Sequence, residues 1–310
     1  MANLTATRSL LFASLLSAAS VPAQQQRPFQ ADPPKACSSC AEWNAPQEPY
    51  RIFGNTYFVG TAGLGAILVT SKQGHVLLDG GLSQSAARID ASIRKLGFRL
   101  EDVRLILNSH AHYDHAGGIA ALQRRSGAQV AASAAGARAI ERGEPTADDP
   151  QYGFGRASNA FPPVAHVRVV TDGETLRLGE LAMTAHYTPG HTPGATSWSW
   201  RSCEGERCLD IVYADSLNAV SAPGFRFSGD ATHPSLAASF ARSIDTVAAL
   251  PCDILLAPHP GFSRMTAALR ERGSSPQAAP VVDPGACRAY AEDARGRLER
   301  RLADEGAAPR

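Results

Sequence analysis

The chain of 310 residues is 44% hydrophobic and 19% charged, with a formal net charge of +1. This is the composition of an ordinary globular protein that is long enough to bury a sizeable core. A net charge this close to zero argues against a nucleic-acid partner, because nucleic-acid binding needs a concentrated basic face.

The N-terminus has the pattern of a secretory signal peptide. Arg8 precedes the apolar stretch LLFASLLSAASV, and Val21-Pro22-Ala23 then offers small residues for cleavage. A membrane anchor needs about 18 or more apolar residues, whereas this stretch is shorter and rich in serine. We therefore expect a signal peptide over residues 1–23, a mature protein over residues 24–310, export to the periplasm and no membrane partner.

An even number of cysteines in an exported chain indicates disulfide bonds, and this chain has six. Cys203 and Cys208 flank four residues between two strand-like runs, so they predict a bridge across the neck of a hairpin. Cys252 precedes a predicted strand and Cys287 opens the last predicted helix. A bridge between these two would tie that helix to the core.

Cys37 and Cys40 form a CxxC pair, which is also found in redox motifs and in halves of zinc sites. The chain has no second CxxC and no thioredoxin-like pattern around this one. These observations favour a local or cross-loop disulfide, and the connectivity stays open at this point.

From residue 50 onward, apolar runs of strand length alternate with segments of helical period. Residues 144–163 carry no such period and much Gly and Pro, which predicts a long functional or mobile loop. With no internal repeat and no linker, we expect one α/β domain of two packed sheets with helices outside. The predicted helices are 83–98, 118–127, 134–143, 235–250 and 288–306. The predicted strands are 51–61, 63–71, 75–81, 103–109, 128–133, hairpin-like runs at 164–170, 174–178, 181–188, 195–203 and 208–216, and lastly 253–258.

The segment NSHAHYDHAGG follows a predicted buried strand and is the strongest chemical signal in the chain. His110 and His112 are separated by one residue, so in an extended segment both side chains point the same way and can reach one metal ion. Asp114 and His115 follow where the chain turns, so they can face a second ion. Imidazole and carboxylate are the ligands that zinc takes when thiolates are absent.

Two further histidines complete the predicted ligand count. His191 in TPGHTPG and His259 in APHPG both follow predicted strands. Two zinc ions each need about three protein ligands and an open position for water, although a single-metal site is a rival interpretation. His75, His166, His186 and His233 have no such context. The two predicted ligand sets are His110, His112 and His191, and Asp114, His115 and His259.

Two further aspartates at strand ends leave alternatives open. Asp79 could be a ligand, but a turn-capping carboxylate or one that orients a ligand is the simpler interpretation. Asp215 could bridge both metals if it faces the site. If Ser216 faces the site instead, its hydroxyl is free to bind substrate.

These motifs resemble those of the metallo-β-lactamase superfamily, and more closely its subclass B3. The resemblance rests on NSHAHYDHAGG, TPGHTPGATSWSW, VYADSLNAVSAPGFRFSGD and LPCDILLAPHPG, and it runs from about Asp32 to the C-terminus. It implies a four-layer αβ/βα sandwich as a single domain, with the two zinc sites named above. It also implies that Ser216 and Asn218 contact the substrate carboxylate. Related chains pair their first cysteine with one at the position of Ala62, so Cys40 is the substitute partner here.

The resemblance further implies a zinc-dependent β-lactamase that confers antibiotic resistance. It would hydrolyse the β-lactam amide of penicillins, cephalosporins and carbapenems with a metal-bound hydroxide as nucleophile, which Asp114 would orient. We expect a monomer. The alternative is a binuclear zinc hydrolase of the same superfamily acting on a thioester, lactone or phosphodiester, which a bridging Asp215 would favour. A zinc-binding protein without enzymatic activity is a third hypothesis.

Overall fold

The computed structural model describes residue 1, residues 29–263 and residues 282–307. Apart from Met1, the predicted signal peptide lies outside the described residues. None of the helices in the described ranges is long and apolar enough to cross a membrane.

The first sheet has its strands in chain order. β1 to β4 pair antiparallel, whereas β4 to β7 pair parallel. In the described residues this sheet has seven strands. They are β1 (Tyr50–Phe53), β2 (Thr56–Phe58), β3 (Ile67–Val69), β4 (His75–Leu78), β5 (Val103–Leu107), β6 (Gln129–Ser133) and β7 (Arg168–Val170).

The second sheet is ordered β12-β11-β10-β9-β8 within the described ranges. Its first four strands in the chain form an antiparallel meander, and the last strand joins parallel to β11. The strands are β8 (Thr175–Leu178), β9 (Leu181–Tyr187), β10 (Thr196–Glu204), β11 (Arg207–Tyr213) and β12 (Ile254–Leu256).

The helices of the described residues include five of eight residues or more and three of a single turn. Short 3₁₀ turns cover Leu100–Asp102, Tyr152–Phe154 and Pro260–Phe262. The α-helices are α1 (Cys40–Trp43), α2 (Ser85–Lys95), α3 (Tyr113–Ala116), α4 (Ile119–Ser126), α5 (Ala134–Arg142), α6 (Arg156–Asn159), α7 (Ala237–Ala249) and α8 (Ala286–Ala307).

Alternation of side chains along the first sheet divides the protein into layers. Leu77 of β4 packs against the helices α2, α4 and α5, whereas its neighbours Val76 and Leu78 pack between the two sheets. All three are fully buried, because successive side chains of a strand point to opposite faces. The first sheet is therefore covered on both faces, as its apolar sequence requires.

The second sheet is likewise covered on both faces, by the first sheet on one side and by helices on the other. Ile211 and Tyr213 of β11 face the first sheet, while Val212 between them packs with α7 and α8. The resulting order is helices, sheet, sheet, helices, which confirms the expected four-layer sandwich in a single domain.

One predicted pairing is wrong. The run 164–170 was expected to form a hairpin-like strand with the runs that follow it. Only Arg168–Val170 is a strand, and it pairs parallel to β6 in the first sheet. The physical reason is α5, which lies between β6 and β7 and supplies the crossover that a parallel pair needs.

The structure contains disulfide bonds between Cys37 and Cys40, between Cys203 and Cys208, and between Cys252 and Cys287. The second of these joins residues directly opposite each other in the β10–β11 ladder. The third fastens the start of α8 to the residues just before β12, as the sequence predicted.

Removing the Cys252–Cys287 bridge by a double substitution to Ala should lower the free energy of unfolding by about 4 kcal/mol. Removing Cys203–Cys208 should cost about 2 kcal/mol, because the entropic cost of loop closure grows with the length of the closed loop. The two bridges span 35 and 5 residues respectively. Urea unfolding of the two double variants measures both values, and equal losses would contradict the prediction.

Glu305 of α8 is buried and accepts hydrogen bonds from the backbone N–H groups of Phe227 and Ser228, at 2.9 and 2.8 Å, and from Arg301 Nε at 2.6 Å. Burial alone would raise its pKa, but these donors outweigh burial and lower the pKa below its usual value. The ionised side chain thus holds the segment at Phe227 against the C-terminal helix.

A carboxylate with a lowered pKa stabilises the fold above its unfolded pKa of about 4.3, and this contribution is lost as the pH falls through the folded value. Glu305→Gln should therefore lower the free energy of unfolding at pH 7 by about 2 kcal/mol. The difference from wild type should shrink as the pH falls below the unfolded pKa and through the folded one. Denaturant unfolding across this range would refute the idea if the difference did not depend on pH.

Candidate metal centre

Several strands end at one edge of the sandwich, and the predicted metal ligands follow them directly. β5 ends at Leu107 and leads into the NSHAHYDHAGG segment, β9 leads to His191, and β12 leads to His259. Because these strand ends meet at one edge, residues far apart in sequence lie side by side.

The first cluster consists of His110, His112 and His191, all buried. One ring nitrogen from each lies within 4.8 Å of the others. Their ring centroids are 4.7 to 5.0 Å apart. Three imidazoles that converge in this way can hold one metal ion.

The second cluster consists of Asp114, His115 and His259. Asp114 Oδ2 lies 3.3 Å from His115 Nε2 and 3.3 Å from His259 Nε2, and the two nitrogens are 3.2 Å apart. His110 is next to this cluster, since its ring centroid is 4.3 Å from that of His115. The two clusters are therefore adjacent and form one site.

Hydrogen bonds behind the rings orient three of the imidazoles. His110 Nδ1 lies 2.6 Å from Asp215 Oδ1, and His191 Nδ1 lies 2.8 Å from the backbone carbonyl of Asn218. His259 Nδ1 lies 3.2 Å from the carbonyl of Gly63. With Nδ1 donating to these acceptors, each ring keeps an unprotonated Nε2 to bind a metal.

The fourth imidazole is oriented through its other nitrogen. His112 Nε2 lies 3.2 Å from both carboxylate oxygens of Asp149. If Nε2 donates to this carboxylate, Nδ1 is the nitrogen that carries the free lone pair. Asp149 belongs to the long loop 144–163 and was not among the predicted site residues.

The first cluster favours neutral imidazoles. Burial, followed by the neighbouring His115, His191 and His112, holds the pKa of His110 well below its usual value. Burial and then His112 lower the pKa of His191 to about 3. Both rings are therefore unprotonated at neutral pH, which is the form that binds a metal.

The second cluster contains an ionised carboxylate that favours a bound cation. Burial would raise the pKa of Asp114, but His115 and His259 outweigh it and hold the pKa well below the usual value. Burial would lower the pKa of His115, but Asp114 and Asp79 outweigh it and raise the pKa. This pocket thus keeps an ionised carboxylate and attracts a cation.

Asp79 lies behind the motif and supports it. Its two oxygens accept four hydrogen bonds, from Asn108 Nδ2, from the N–H and hydroxyl of Ser109 and from the Tyr213 hydroxyl, at 2.6 to 3.0 Å. Oδ2 lies 4.0 Å from His115 Nδ1. With its oxygens occupied in this way, Asp79 orients the start of the ligand segment.

The position of Asp215 answers the question that the sequence left open. Its carboxylate is fully buried and lies against Nδ1 of His110, the nitrogen that faces away from the first cluster. Burial raises its pKa well above the usual value. Asp215 is therefore placed to orient His110 rather than to bridge two metals.

Comparison with known proteins agrees with this geometry. The family model of the metallo-beta-lactamase superfamily matches residues 66–259. The solved structure of the Rm3 metallo-beta-lactamase is 52% identical, with a TM-score of 0.83 over 87% of this chain and 99% of that chain. MEM-A1, a subclass B3 metallo-beta-lactamase from a soil metagenome library, is 51% identical, with a TM-score of 0.81 over 86% of this chain and 99% of its own. This chain belongs to the metallo-β-lactamase superfamily, in subclass B3.

Curated relatives match over a shorter stretch. A hydroxyacylglutathione hydrolase of Anaeromyxobacter dehalogenans is 34% identical over 127 residues, which are 41% of this chain and 38% of that protein. The curated relatives that match are covered over only 36 to 43% of their own length. They share the superfamily's core and not the whole subclass B3 chain.

The donor set suits the zinc that subclass B3 enzymes use. His110 Nε2 is buried and has no hydrogen-bond partner among the described residues. A buried polar atom left without a partner costs about 1–3 kcal/mol, and a metal ion would supply the partner. Nitrogen and carboxylate donors match zinc. All six cysteines are in disulfides, so thiolate ligands do not contribute.

Sequence reasoning missed three of the groups that orient the imidazoles. Two are backbone carbonyls, at Gly63 and Asn218. Every residue has a backbone carbonyl, so the sequence does not distinguish these two. Asn218 was predicted to contact substrate, whereas the structure also places its carbonyl behind His191. The third is Asp149, whose only signal was its position in a loop expected to be functional.

Gly63 links the N-terminal segment to the metal centre. Its N–H donates to the Trp43 carbonyl at 3.2 Å, as does the Thr61 hydroxyl at 2.6 Å. The Trp43 ring lies 5.2 Å from the His259 ring. A Cβ added to Gly63 would stand 2.7 Å from Trp43 Cα.

Gly63→Ala should therefore displace the carbonyl that holds His259 and weaken zinc binding at the second cluster by about 10-fold or more. Gly261→Ala is a matched control, because a Cβ there meets nothing within 4 Å and the residue is also close to His259. Titration of both variants against a chromophoric chelator gives the affinities. Equal zinc affinities would rule out this role for Gly63.

Proposed function

We propose that this protein hydrolyses the β-lactam amide of penicillins, cephalosporins and carbapenems with two zinc ions. In this proposal His110, His112 and His191 hold one ion, and Asp114, His115 and His259 hold the other. The observation that carries the proposal is the pair of adjacent donor clusters, in a chain similar to subclass B3 enzymes over nearly their whole length.

Bound zinc acts as a Lewis acid and lowers the pKa of water to about 7, which makes a nucleophile available at neutral pH. The protein's contribution is to fix the donors and a base beside them. The Asp114 carboxylate is ionised and only 7% exposed. In this proposal it accepts a hydrogen bond from the attacking water and so orients the nucleophile.

Substrate orientation is assigned to the segment after β11. Ser216 is buried, directly follows Asp215, and lies two residues before the carbonyl that orients His191. In this proposal its hydroxyl donates a hydrogen bond to the carboxylate of a β-lactam. The half-buried side chain of Asn218 is assigned a second contact to the same group.

The alternative, a hydrolase of thioesters, lactones or phosphodiesters, was tied to a bridging Asp215. The structure places that carboxylate at Nδ1 of His110, so no geometric observation favours the alternative. The match to a hydroxyacylglutathione hydrolase covers less than half of either chain.

We infer that the protein is exported to the periplasm, because three disulfides in the described residues suit an oxidising compartment. We propose that it acts there as a monomer. A small β-lactam is the only partner that the proposal requires. The signal peptide over residues 1–23 remains a prediction, to be checked by N-terminal sequencing of the exported protein.

The test is carbapenem, penicillin and cephalosporin hydrolysis by the purified mature protein, before and after EDTA treatment. We expect turnover that EDTA abolishes and added zinc restores, and that an inhibitor of serine β-lactamases leaves unchanged. Metal removal takes away both the nucleophile and the charge that stabilises the opened amide, so residual activity should be below about 1%.

A hydroxyacylglutathione thioester assayed in parallel distinguishes the alternative. A protein that binds two zinc ions, cleaves the thioester and leaves all three β-lactams intact would overturn the proposal. A protein that holds zinc and cleaves neither β-lactams nor the thioester would then be assayed on a lactone and a phosphodiester, and failure on these as well would favour the non-enzymatic hypothesis.

A further inference from the structure

Among the histidines of the first cluster, only His112 is oriented by a side chain from the long loop 144–163. Both carboxylate oxygens take part in the contact, since Asp149 Oδ1 and Oδ2 are each 3.2 Å from His112 Nε2. Both residues are 5% exposed. A loop carboxylate this well buried needs a partner, and this imidazole provides it.

The Asp149 carboxylate is itself held in place by its own loop. Oδ1 also accepts the backbone N–H of Gln151 at 2.8 Å, and the Asp149 N–H donates to the Thr146 carbonyl at 2.9 Å. The Gln151 carbonyl in turn accepts from Nδ2 of the buried Asn159 at 2.9 Å. The carboxylate thus reaches His112 from a rigid local turn.

The same turn is joined to the segment that orients another ligand. The Ala222 N–H donates to the Pro150 carbonyl at 2.9 Å. Four residues earlier, the Asn218 carbonyl accepts from His191 Nδ1. Two of the three histidines of the first cluster are therefore positioned by two loops that are hydrogen-bonded to each other.

We propose that Asp149 is a positioning residue for the first zinc site, and that through it the loop 144–163 contributes to the zinc affinity of that site. By accepting from Nε2, its carboxylate fixes the tautomer of His112 that presents Nδ1 to the metal. It also fixes the ring's rotation. The inference rests on the proposed ligand sets, because it needs His112 to be a ligand.

The experiment compares zinc binding by wild type, Asp149→Ala, Asp149→Asn and Asp148→Ala. Asp148 is the adjacent carboxylate in the same loop and is exposed, so its substitution controls for lost negative charge. Dissociation constants come from competition with a chromophoric chelator, and the bound zinc is counted by atomic absorption. Thermal unfolding of each metal-free variant is measured beside them.

Asp149→Ala should weaken one of the two zinc sites by about 10- to 100-fold, the range found when a partner behind a metal-bound histidine is removed. Asp149→Asn should recover most of the affinity, because its amide oxygen can still accept from Nε2. Asp148→Ala should bind zinc as wild type does.

A purely structural role would give a different result. Asp149→Ala would then lower the melting temperature of the metal-free protein and leave both zinc dissociation constants within twofold of wild type. That outcome would overturn the inference while leaving the proposed function intact. A wild-type protein that binds no zinc would instead overturn the proposed ligand sets themselves.

Discussion

The metal centre depends on one constraint, which is that a buried imidazole nitrogen without a partner costs free energy. His110, with 1% of its surface exposed, shows it most clearly. Asp215 occupies its Nδ1, and its Nε2 has no partner among the described residues. Burial keeps the ring neutral, so the free nitrogen carries a lone pair. The atom without a partner is therefore the atom that is available to bind a metal.

The fold satisfies this constraint by placing polar groups where strands end. Between the sheets, side chains such as Val76 and Tyr213 form an apolar layer that excludes water. At the edge, the ladder ends and backbone carbonyls become free to accept from imidazoles, as those of Gly63 and Asn218 do. Burial lowers the pKa of His110 and His191, and the edge supplies the partners that orient these rings.

The sequence revealed the ligands more readily than the groups that orient them. H-x-H-x-D-H is local, and its spacing alone brings His110 and His112 together. His191 and His259 could be identified because each follows an apolar run and sits among Pro and Gly. The strand β7 was wrongly predicted to be part of a hairpin-like series with the runs after it, since a three-residue strand does not reveal whether its partner is parallel. The carbonyls could not be predicted, because every residue has one.

Asp149 was harder to predict than the histidines and easier to predict than the backbone carbonyls. Its residue type carries chemical information, but its partner is 37 residues away and the intervening chain includes three helices and a strand. Hydrophobic periodicity predicts which face of a helix or strand is buried, but it does not predict which residue an aperiodic loop contacts.

The same loop has two parts in different surroundings. Tyr152 and Phe154 are exposed, whereas Asp149 is buried and hydrogen-bonded to His112. A change at the exposed residues should leave the contact with His112 undisturbed, provided that the turn at Asp149 keeps its hydrogen bonds. The arrangement separates the part of the loop that faces solvent from the part that contacts the predicted metal ligand. The two parts are joined only by a short turn. Insertions near Asp149 should therefore disturb the contact with His112 far more than insertions near Phe154.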